Sequence, residues 1–279
     1  MKVRFILAGS LVVISLSFFI VIRIPVRKES PKVLAVTSDV IPEQPNFKPI
    51  YDTVVRHGLR DVKAISLSLD ADAGFGNRKS KEKREFLYQP KIIEILEESN
   101  IPATIFTTGL WAENHKDVLK TLSRNRLFEI GNHSYSHPAF SKACTNLPYV
   151  TEDQRVDEFK KSQQTITNII GFAPRLFRFP GGCYTKKDFT LAKDQGLTVI
   201  HWDTDAHDAF GRSKEALIVV MKKQIRPGSI ILLHLNGGEI DSDVAGALPE
   251  IITYAKENGY TFVKVGELLS QMEKATAVN

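Results

Sequence analysis

Apolar stretches with the composition of β-strands alternate with amphipathic helical stretches from Asp61 to Lys274. Repeated strand–helix units predict a parallel sheet with helices packed outside it, because parallel neighbours need a crossover connection. The predicted strands cover residues 64–69, 103–107, 127–132, 175–178, 197–202, 229–234 and 260–265. The predicted helices cover residues 90–99, 112–123, 151–170, 186–195, 213–224, 245–257 and 266–274. Seven such units suggest an α/β barrel one unit short of the eight-stranded form.

The length of the chain and its breaks predict one main domain. With 279 residues, 43% of them hydrophobic, the chain can bury one large core. Prolines at 31, 42, 45 and 49 interrupt the region before Asp61, which predicts a tether or irregular structure draped over the domain. We therefore expect a membrane anchor or signal segment at residues 1–24, a linker or irregular segment at 25–60, and the compact domain at 61–274.

The N-terminal segment has the features of a membrane-targeting sequence. Residues 5–22 are 18 consecutive apolar or small residues, near the lower limit for a helix that spans a bilayer. A basic stretch, 23–28, follows the run in place of a signal-peptide cleavage site, which favours an uncleaved anchor over a cleaved signal. Basic residues on both flanks leave its orientation ambiguous. We expect the body of the protein to be extracytoplasmic, anchored to the membrane, or secreted if the leader is cleaved.

The charge distribution gives no support to a nucleic-acid partner. The net charge of +5 is concentrated in residues 1–32, which hold six basic residues and one acidic residue. The rest of the chain balances 31 basic against 31 acidic residues. A neutral body lacks the broad positive potential that attracts polyanions. We therefore expect no nucleic acid among its partners.

Two carboxylates and two histidines follow neighbouring predicted strands. Asp70 and Asp72 end the first strand, a pattern that taken alone is more typical of a turn. His133 and His137 stand four apart, although isolated histidines at this spacing are more often structural. Because Pro138 disfavours helical geometry at His137, we expect a loop here. Taken together, an Asp and two His at neighbouring strand ends predict a metal site with open coordination positions.

Four further polar residues stand at or after the ends of other predicted strands. Arg178, in Arg-Phe-Pro-Gly-Gly, could be a surface charge or could hold a carboxylate. Asp205 and Asp208 could cap the next helix, and His234 could be a satisfied core histidine or an acid. Since the strand ends of an α/β barrel share one face, these groups and the metal site are expected to converge. No role is predicted for His57, His115, His201 and His207.

These motifs together resemble those of the NodB-homology polysaccharide deacetylases, carbohydrate esterase family 4. The resemblance covers roughly residues 61 to 271, with the motifs in the family's order. The family's Thr-Phe-Asp-Asp-Gly, His-Ser/Thr-x-x-His-Pro, Arg-x-Pro-Tyr-Gly, Asp-Trp and Leu-x-His motifs correspond here to residues 68–74, 133–138, 178–182, 208–209 and 232–234. Gly181 replaces the Tyr of the third motif, and Ala209 replaces the Trp of the fourth.

The resemblance implies a distorted (β/α)7 barrel that hydrolyses the carbon–nitrogen bond of a linear amide. The expected substrate is an N-acetylglucosamine-type residue of an envelope polysaccharide, peptidoglycan or a chitin-like glycan. An O-acetyl glycan esterase and a catalytically inactive glycan-binding barrel are the alternatives. The cofactor is expected to be a divalent metal, Zn²⁺ first, with Co²⁺ or Ni²⁺ able to substitute.

The family's residue roles can be carried over to the matching positions. Asp70 becomes the general base and His234 the general acid, while Asp72, His133 and His137 bind the metal. Arg178 orients Asp70 with Asp208 pairing to it, and the Gly181 N–H is the oxyanion donor. Pro180, Trp202 and Leu232 are expected to support the site and the substrate.

The first motif departs from the family pattern. The family has adjacent aspartates, whereas this chain separates Asp70 and Asp72 by Ala71. Either Asp72 binds the metal and Asp70 is the base, or the two exchange roles. We prefer the first arrangement because Asp70 directly ends the strand. The missing Tyr and Trp bear on the packing of the sugar more than on catalysis.

The chain has only two cysteines, Cys144 and Cys183, and both follow predicted site motifs. A pair is too few for a disulfide framework or a cysteine zinc site. An oxidising compartment would permit a bond between them. The sequence leaves a disulfide and two free thiols equally open.

Overall fold

The computed structural model describes residues 44–50, 52–72, 88–144, 147–236 and 242–278. Val36–Asn279 groups into one compact unit. The apolar run at 5–22 and the anchor predicted from it lie outside the described residues. Among the helices that are described, none has the length and apolar content that crossing a bilayer requires.

The centre of the fold is one parallel sheet, flanked by helices. Every predicted strand is present, with shorter bounds in most cases. Along the sheet the order is β5-β4-β3-β2-β1-β7-β6, and β8 pairs with the first residues of β1. The strands are β1 Ala64–Ala71, β2 Ala103–Thr107, β3 Phe128–Asn132, β4 Leu176–Phe177, β5 Thr198–Val199, β6 Thr204–Asp205, β7 Ile230–His234 and β8 Thr261–Phe262.

Strand β6 was not predicted separately. It has only two residues, both polar, so no apolar pattern marks it. It pairs with β7 through Thr204 opposite Ile231 and Asp205 opposite Leu232. The sheet thereby gains an outer strand beside β7, and the architecture is α/β with a curled parallel sheet.

The helices follow the predicted pattern with one correction. The helix predicted at 112–123 is two helices, because His115 leaves helical geometry at φ −125° and ψ 42°. Ser213 caps α6 by accepting from the Ala216 N–H, so neither Asp205 nor Asp208 is its cap. The helices are α1 Pro90–Glu98, α2 Gly109–Asn114, α3 Lys116–Arg124, α4 Arg155–Ile170, α5 Lys186–Asp194, α6 Lys214–Gln224, α7 Val244–Glu257 and α8 Val265–Val278.

The core lies on both sides of β1, which is buried along its whole length. One apolar cluster fills the space between the sheet and helices α1, α6 and α7. A second cluster covers the opposite side of the sheet and includes Phe106 and Ile230. Phe47 and Val55 from the irregular residues before β1 join it, and Val55 pairs with Ile200. Burial on both faces explains why β1 reads as an apolar strand with small residues between its leucines.

Candidate active site

The register of the sheet brings the polar strand ends together. Asp70 pairs with His234 on β7 and with Phe106 on β2. On the other side of β2, Thr107 pairs with Asn132, the residue before His133. Because all these pairs are parallel, the carboxyl ends of β1, β3 and β7 lie along one edge of the sheet.

Asp70 is held by a buried arginine, as predicted. Arg178 Nη1 donates to Asp70 Oδ1 at 2.7 Å, and Nη2 donates to Ser68 Oγ at 2.8 Å. The guanidinium also lies 4.1 Å from the centre of the Phe106 ring, and Arg178 has no solvent exposure. A buried guanidinium needs such partners, since desolvation of an unpaired charge costs several kcal/mol. The pair therefore fixes the orientation of the Asp70 carboxylate.

Asp72, His133 and His137 form a cluster able to hold a metal ion. One ligand atom from each residue lies within 4.8 Å of the other two, and all three residues are buried. His133 Nδ1 lies 2.8 Å from the Arg178 carbonyl oxygen, so this nitrogen carries the proton and Nε2 carries a lone pair. Among the described residues, His133 Nε2 has no hydrogen-bond partner. Asp70 Oδ2 lies 3.3 Å from it but outside hydrogen-bond geometry.

The donor set of this cluster fits a divalent cation. Asp72 Oδ2 lies 3.0 Å from His137 Nε2, so a carboxylate and two imidazoles face one point. Burial lowers the pKa of His133 to about 4, against the upward effect of Asp70. Burial raises the pKa of Asp72, but His137, His234 and His133 outweigh it and hold that pKa below its ordinary value. The set thus offers a neutral imidazole at His133 and a carboxylate at Asp72 at neutral pH, which suits zinc.

The loop that carries the two histidines is strained and anchored. His137 has a left-handed backbone at φ 62° and Ser134 at φ 69°, which confirms the predicted loop. Such conformations cost on the order of 1 kcal/mol each in residues with a Cβ. Glu158 on α4 offsets this cost by accepting from the N–H groups of Tyr135 and Ser136 at 2.8 and 2.9 Å.

Glu158 is a supporting residue that sequence reasoning missed. It stands in an amphipathic helix beside another acid, Asp157, and no motif distinguishes it. Asn132 was missed in the same way, although its Oδ1 accepts from the Ser134 N–H at 2.9 Å. Each acts through backbone groups, which leave no pattern in the sequence.

The pairing predicted for Asp208 was wrong. Asp208 does not contact Arg178; its Oδ1 lies 2.9 Å from His234 Nδ1 and its Oδ2 accepts from the His234 N–H at 2.8 Å. The reason is position: Asp208 begins a short 3₁₀ helix, Asp208–Phe210, that packs on β7. Burial lowers the pKa of His234, but Asp208 and then Asp72 and Asp70 raise it to about 10. His234 is therefore an imidazolium at neutral pH.

The remaining predicted residues lie around this centre. Pro180 and Gly181 belong to a short turn, Pro180–Gly182, which Phe179 separates from Arg178. Trp202 stacks on His201 with ring centroids 4.0 Å apart and lies 5.5 Å from the Arg178 guanidinium. Leu232 is buried and precedes His234 by two residues, so both side chains point to the same side of β7.

The two cysteines form a disulfide, which decides between the two alternatives left by the sequence. Cys144 lies beyond the histidine loop, and Cys183 follows the Pro180–Gly182 turn. The bond therefore joins two segments that border the candidate site. Its formation requires an oxidising environment.

Comparisons with known proteins agree with this geometry. The family model described as polysaccharide deacetylase matches residues 61–200. A peptidoglycan-N-acetylglucosamine deacetylase of Bacillus cereus is 32% identical over 177 residues, which are 63% of this chain and 61% of that protein. The peptidoglycan-N-acetylmuramic acid deacetylase PdaA of Bacillus subtilis is 28% identical over 219 residues, 77% of this chain and 75% of that protein. This chain thus spans less than two thirds of the length of the first relative and three quarters of the second.

One solved structure with the same fold belongs to a pseudoenzyme. A CE4 family pseudoenzyme from Bacillus anthracis superposes with a TM-score of 0.65 at 26% identity. The match covers 78% of this chain and 69% of that one. Because a pseudoenzyme shares the fold, the residues at the site must carry any argument about activity.

Proposed function

We propose that this chain, which belongs to the polysaccharide deacetylase family, is a metal-dependent hydrolase that removes N-acetyl groups from an envelope polysaccharide. The observation that carries the proposal is the cluster of Asp72, His133 and His137 together with two ion pairs, the buried Asp70–Arg178 pair and the largely buried Asp208–His234 pair. Metal-dependent hydrolysis of an amide uses a cation, a base and an acid around one point, and this arrangement supplies candidates for all three.

We assign Asp72, His133 and His137 to the cation, Zn²⁺ first and Co²⁺ or Ni²⁺ as substitutes. When bound, a divalent cation polarises the acetyl carbonyl and makes water a better nucleophile at neutral pH. The Arg178 carbonyl keeps His133 in the tautomer that presents Nε2 to this ion. The metal identity is part of the proposal and is open to measurement.

We assign Asp70 as the general base. Its ion pair with Arg178 keeps the carboxylate oriented, and the contact of Asp72 with His137 supports Asp72 rather than Asp70 as the ligand. Asp70 then takes a proton from the attacking water, and Arg178 holds the carboxylate in place.

We assign His234 as the general acid and the Gly181 N–H as the donor to the oxyanion. Asp208 stabilises the imidazolium, which holds the proton that the leaving amine needs. The Gly181 N–H would donate to charge that develops on the acetyl oxygen in the transition state. Pro180, Trp202 and Leu232 are proposed to shape the space around the substrate.

The substrate that we propose is an N-acetylglucosamine-type residue of peptidoglycan or of a chitin-like glycan. Two relatives, a peptidoglycan-N-acetylglucosamine deacetylase and a peptidoglycan-N-acetylmuramic acid deacetylase, support the choice of peptidoglycan. Residues 5–22 are proposed as a membrane anchor with the domain at 61–274, a distorted (β/α)7 barrel, on the extracytoplasmic side. The disulfide supports that location, since such bonds persist in oxidising compartments.

The proposal is tested by measuring the acetate that the purified chain releases from acetylated glycans. Peptidoglycan and N-acetylglucosamine oligomers are supplied with the metal-stripped protein, with and without added Zn²⁺, Co²⁺ or Ni²⁺. We expect release that depends on the metal and is lost in His133→Ala. No release from any of these substrates with any of these metals would refute the proposal.

The neighbouring pseudoenzyme structure favours a second candidate, a glycan-binding barrel without turnover. It predicts binding of peptidoglycan without metal and without acetate release. A stoichiometric zinc ion found by elemental analysis would count against it. Paired assays on N-acetylated and O-acetylated substrates separate the amide hydrolase from an O-acetyl glycan esterase.

A further inference from the structure

The Cys144–Cys183 disulfide borders the candidate site and joins two of its loops. Cys144 lies seven residues beyond His137, and Cys183 is the second residue after Gly181. The two cysteines are 39 residues apart in the sequence, and α4 and β4 lie between them. The bond therefore ties the segment after the metal-binding histidines to the turn that carries the Gly181 amide.

Gly181 packs directly against this bond. Its φ of +60° is in the left-handed region, and a Cβ built on it would lie 2.9 Å from Cys144 Sγ and 3.1 Å from Leu147 Cδ1. Cys144 Sγ and Cys183 Sγ also lie 3.6 and 3.5 Å from the Gly181 carbonyl oxygen. The sulfur atoms thus occupy the space that a side chain at position 181 would need.

The Pro180–Gly182 turn also contains two local hydrogen bonds. The Gly182 N–H donates to the Phe179 oxygen at 2.9 Å, and the Cys183 N–H donates to the Pro180 oxygen at 3.3 Å. These two bonds shape the turn, and the Gly182 backbone also forms a hydrogen bond with His201. On its other side, a Cβ on Gly182 would lie 2.5 Å from His201 Nε2, so the turn sits between the disulfide and the His201–Trp202 stack.

We propose that the disulfide is a positioning element of the active site, which holds the Gly181 amide where the oxyanion develops. The inference rests on the proposed function, because it takes Gly181 as the oxyanion donor. A donor that acts only in the transition state changes kcat more than KM. Misplacement by about 1 Å costs up to 100-fold in rate. Loss of the bond therefore lowers kcat by about 10-fold or more and leaves KM within about twofold.

The first test reduces the wild-type protein with a water-soluble phosphine, which avoids a thiol that would bind zinc. The phosphine becomes its oxide with oxygen from water, two electrons cleave the S–S bond, and two protons complete the thiols of Cys144 and Cys183. Acetate release is measured before reduction, after reduction and after reoxidation in air. We expect kcat to fall on reduction and to recover on reoxidation. An unchanged kcat in the fully reduced, folded protein overturns the proposal.

The matched control is the double variant Cys144→Ser with Cys183→Ser. It should have the low kcat of the reduced wild type, and the phosphine should have no further effect on it. Circular dichroism and a thermal scan show whether each form is folded at the assay temperature. A folded double variant with wild-type kcat contradicts the positioning role, even where reduction inhibits the wild type.

A second readout does not depend on activity. Amide hydrogen exchange is compared in residues 179–184 of the oxidised and reduced protein. We expect exchange to accelerate by about 10-fold or more on reduction, since the restraint on the turn is lost. Unchanged exchange overturns the proposal. If the oxidised protein releases no acetate from any substrate, the proposed function fails, and hydrogen exchange alone decides whether the bond restrains the turn.

Discussion

Both ends of the central sheet bury carboxylates, but the groups that contact these carboxylates differ between the two ends. At the carboxyl ends of the strands, Asp70 pairs with Arg178, and Asp72 faces His133 and His137. At the opposite end, Glu129 Oε2 accepts from the Thr104 hydroxyl at 2.8 Å and from the Gly266 N–H at 3.0 Å. The Glu129 carboxylate thereby ties β2 and β3 to the first turn of α8.

The two ends differ in whether a buried polar atom is left without a hydrogen-bond partner. Burial raises the pKa of Glu129 to about 7, although the Gly266 N–H and the Thr104 hydroxyl oppose the change. Its partners are neutral donors from the protein itself, as expected of a structural carboxyl. At the other end, His133 Nε2 has a buried lone pair with no hydrogen-bond partner among the described residues. Burial of a charged group alone therefore does not mark the site; a lone pair directed at a shared point does.

The largest effect is expected from removing that lone pair. His133→Ala takes away one of the three proposed metal ligands. Because a catalytic metal contributes several kcal/mol to the stabilisation of the transition state, activity should fall by about 1000-fold or more. Zinc content, measured by elemental analysis, should fall with it. Glu129→Gln is the matched control at the opposite end and should keep both. Full activity in His133→Ala would show that the unpartnered His133 Nε2 does not distinguish the active end of the sheet from the opposite end.

The next effect is expected at the second ion pair. Asp208→Asn removes the largest upward influence on the His234 pKa, so the imidazolium should lose its proton at lower pH. We expect kcat to fall by about 100-fold and the basic limb of its pH profile to move to lower pH. Both are measured by acetate release across the neutral and alkaline range. An unshifted basic limb would show that His234 is not the acid that this limb reports.

A smaller effect is expected where the site is supported from α4. Glu158→Gln weakens the charge-assisted hydrogen bonds to the Tyr135 and Ser136 N–H groups, which hold the strained histidine loop. We expect the metal affinity to fall by about 10-fold, within the range typical of residues behind metal ligands. Competition with a zinc chelator measures it. The neighbouring acid Asp157, which is changed to Asn as the control, should leave the affinity unchanged.

Much of the candidate site could be predicted from the sequence, because its residues lie where the predicted strands end. Buried parallel strands give apolar runs, and the polar residues that end them must share one edge, so Asp70, His133 and His234 could be placed together. The ion pair of Asp70 with Arg178 is confirmed by the geometry. The pairing of Asp208 could not be predicted, since it depends on a 3₁₀ helix of three residues.

The parts that could not be predicted act through the backbone or through long-range packing. Glu158 binds N–H groups of a loop more than twenty residues away, and such contacts require no particular residue type in the loop. The two-residue strand Thr204–Asp205 has no apolar run. The disulfide depends on where two loops meet, which two cysteines in a sequence do not fix.

The smallest effect on activity, and a distinct effect on stability, is expected from Glu129→Gln. The folded-state pKa of Glu129 is raised from 4.5 to about 7, so the folded protein binds this proton more tightly than the unfolded chain does. The contribution of Glu129 to the free energy of unfolding should therefore be greatest below pH 4.5. It should decrease as the pH rises toward 7. The loss is at most about 3 kcal/mol. A glutamine at this position cannot titrate, so urea unfolding of both proteins from mildly acidic to mildly alkaline pH should show the steeper decline only in the wild type. If the unfolding free energy changed with pH equally in both proteins, Glu129 would be ionised across this range. Its hydrogen bonds would then stabilise a charged carboxylate, as the partners of Asp70 and Asp72 do at the opposite end of the sheet.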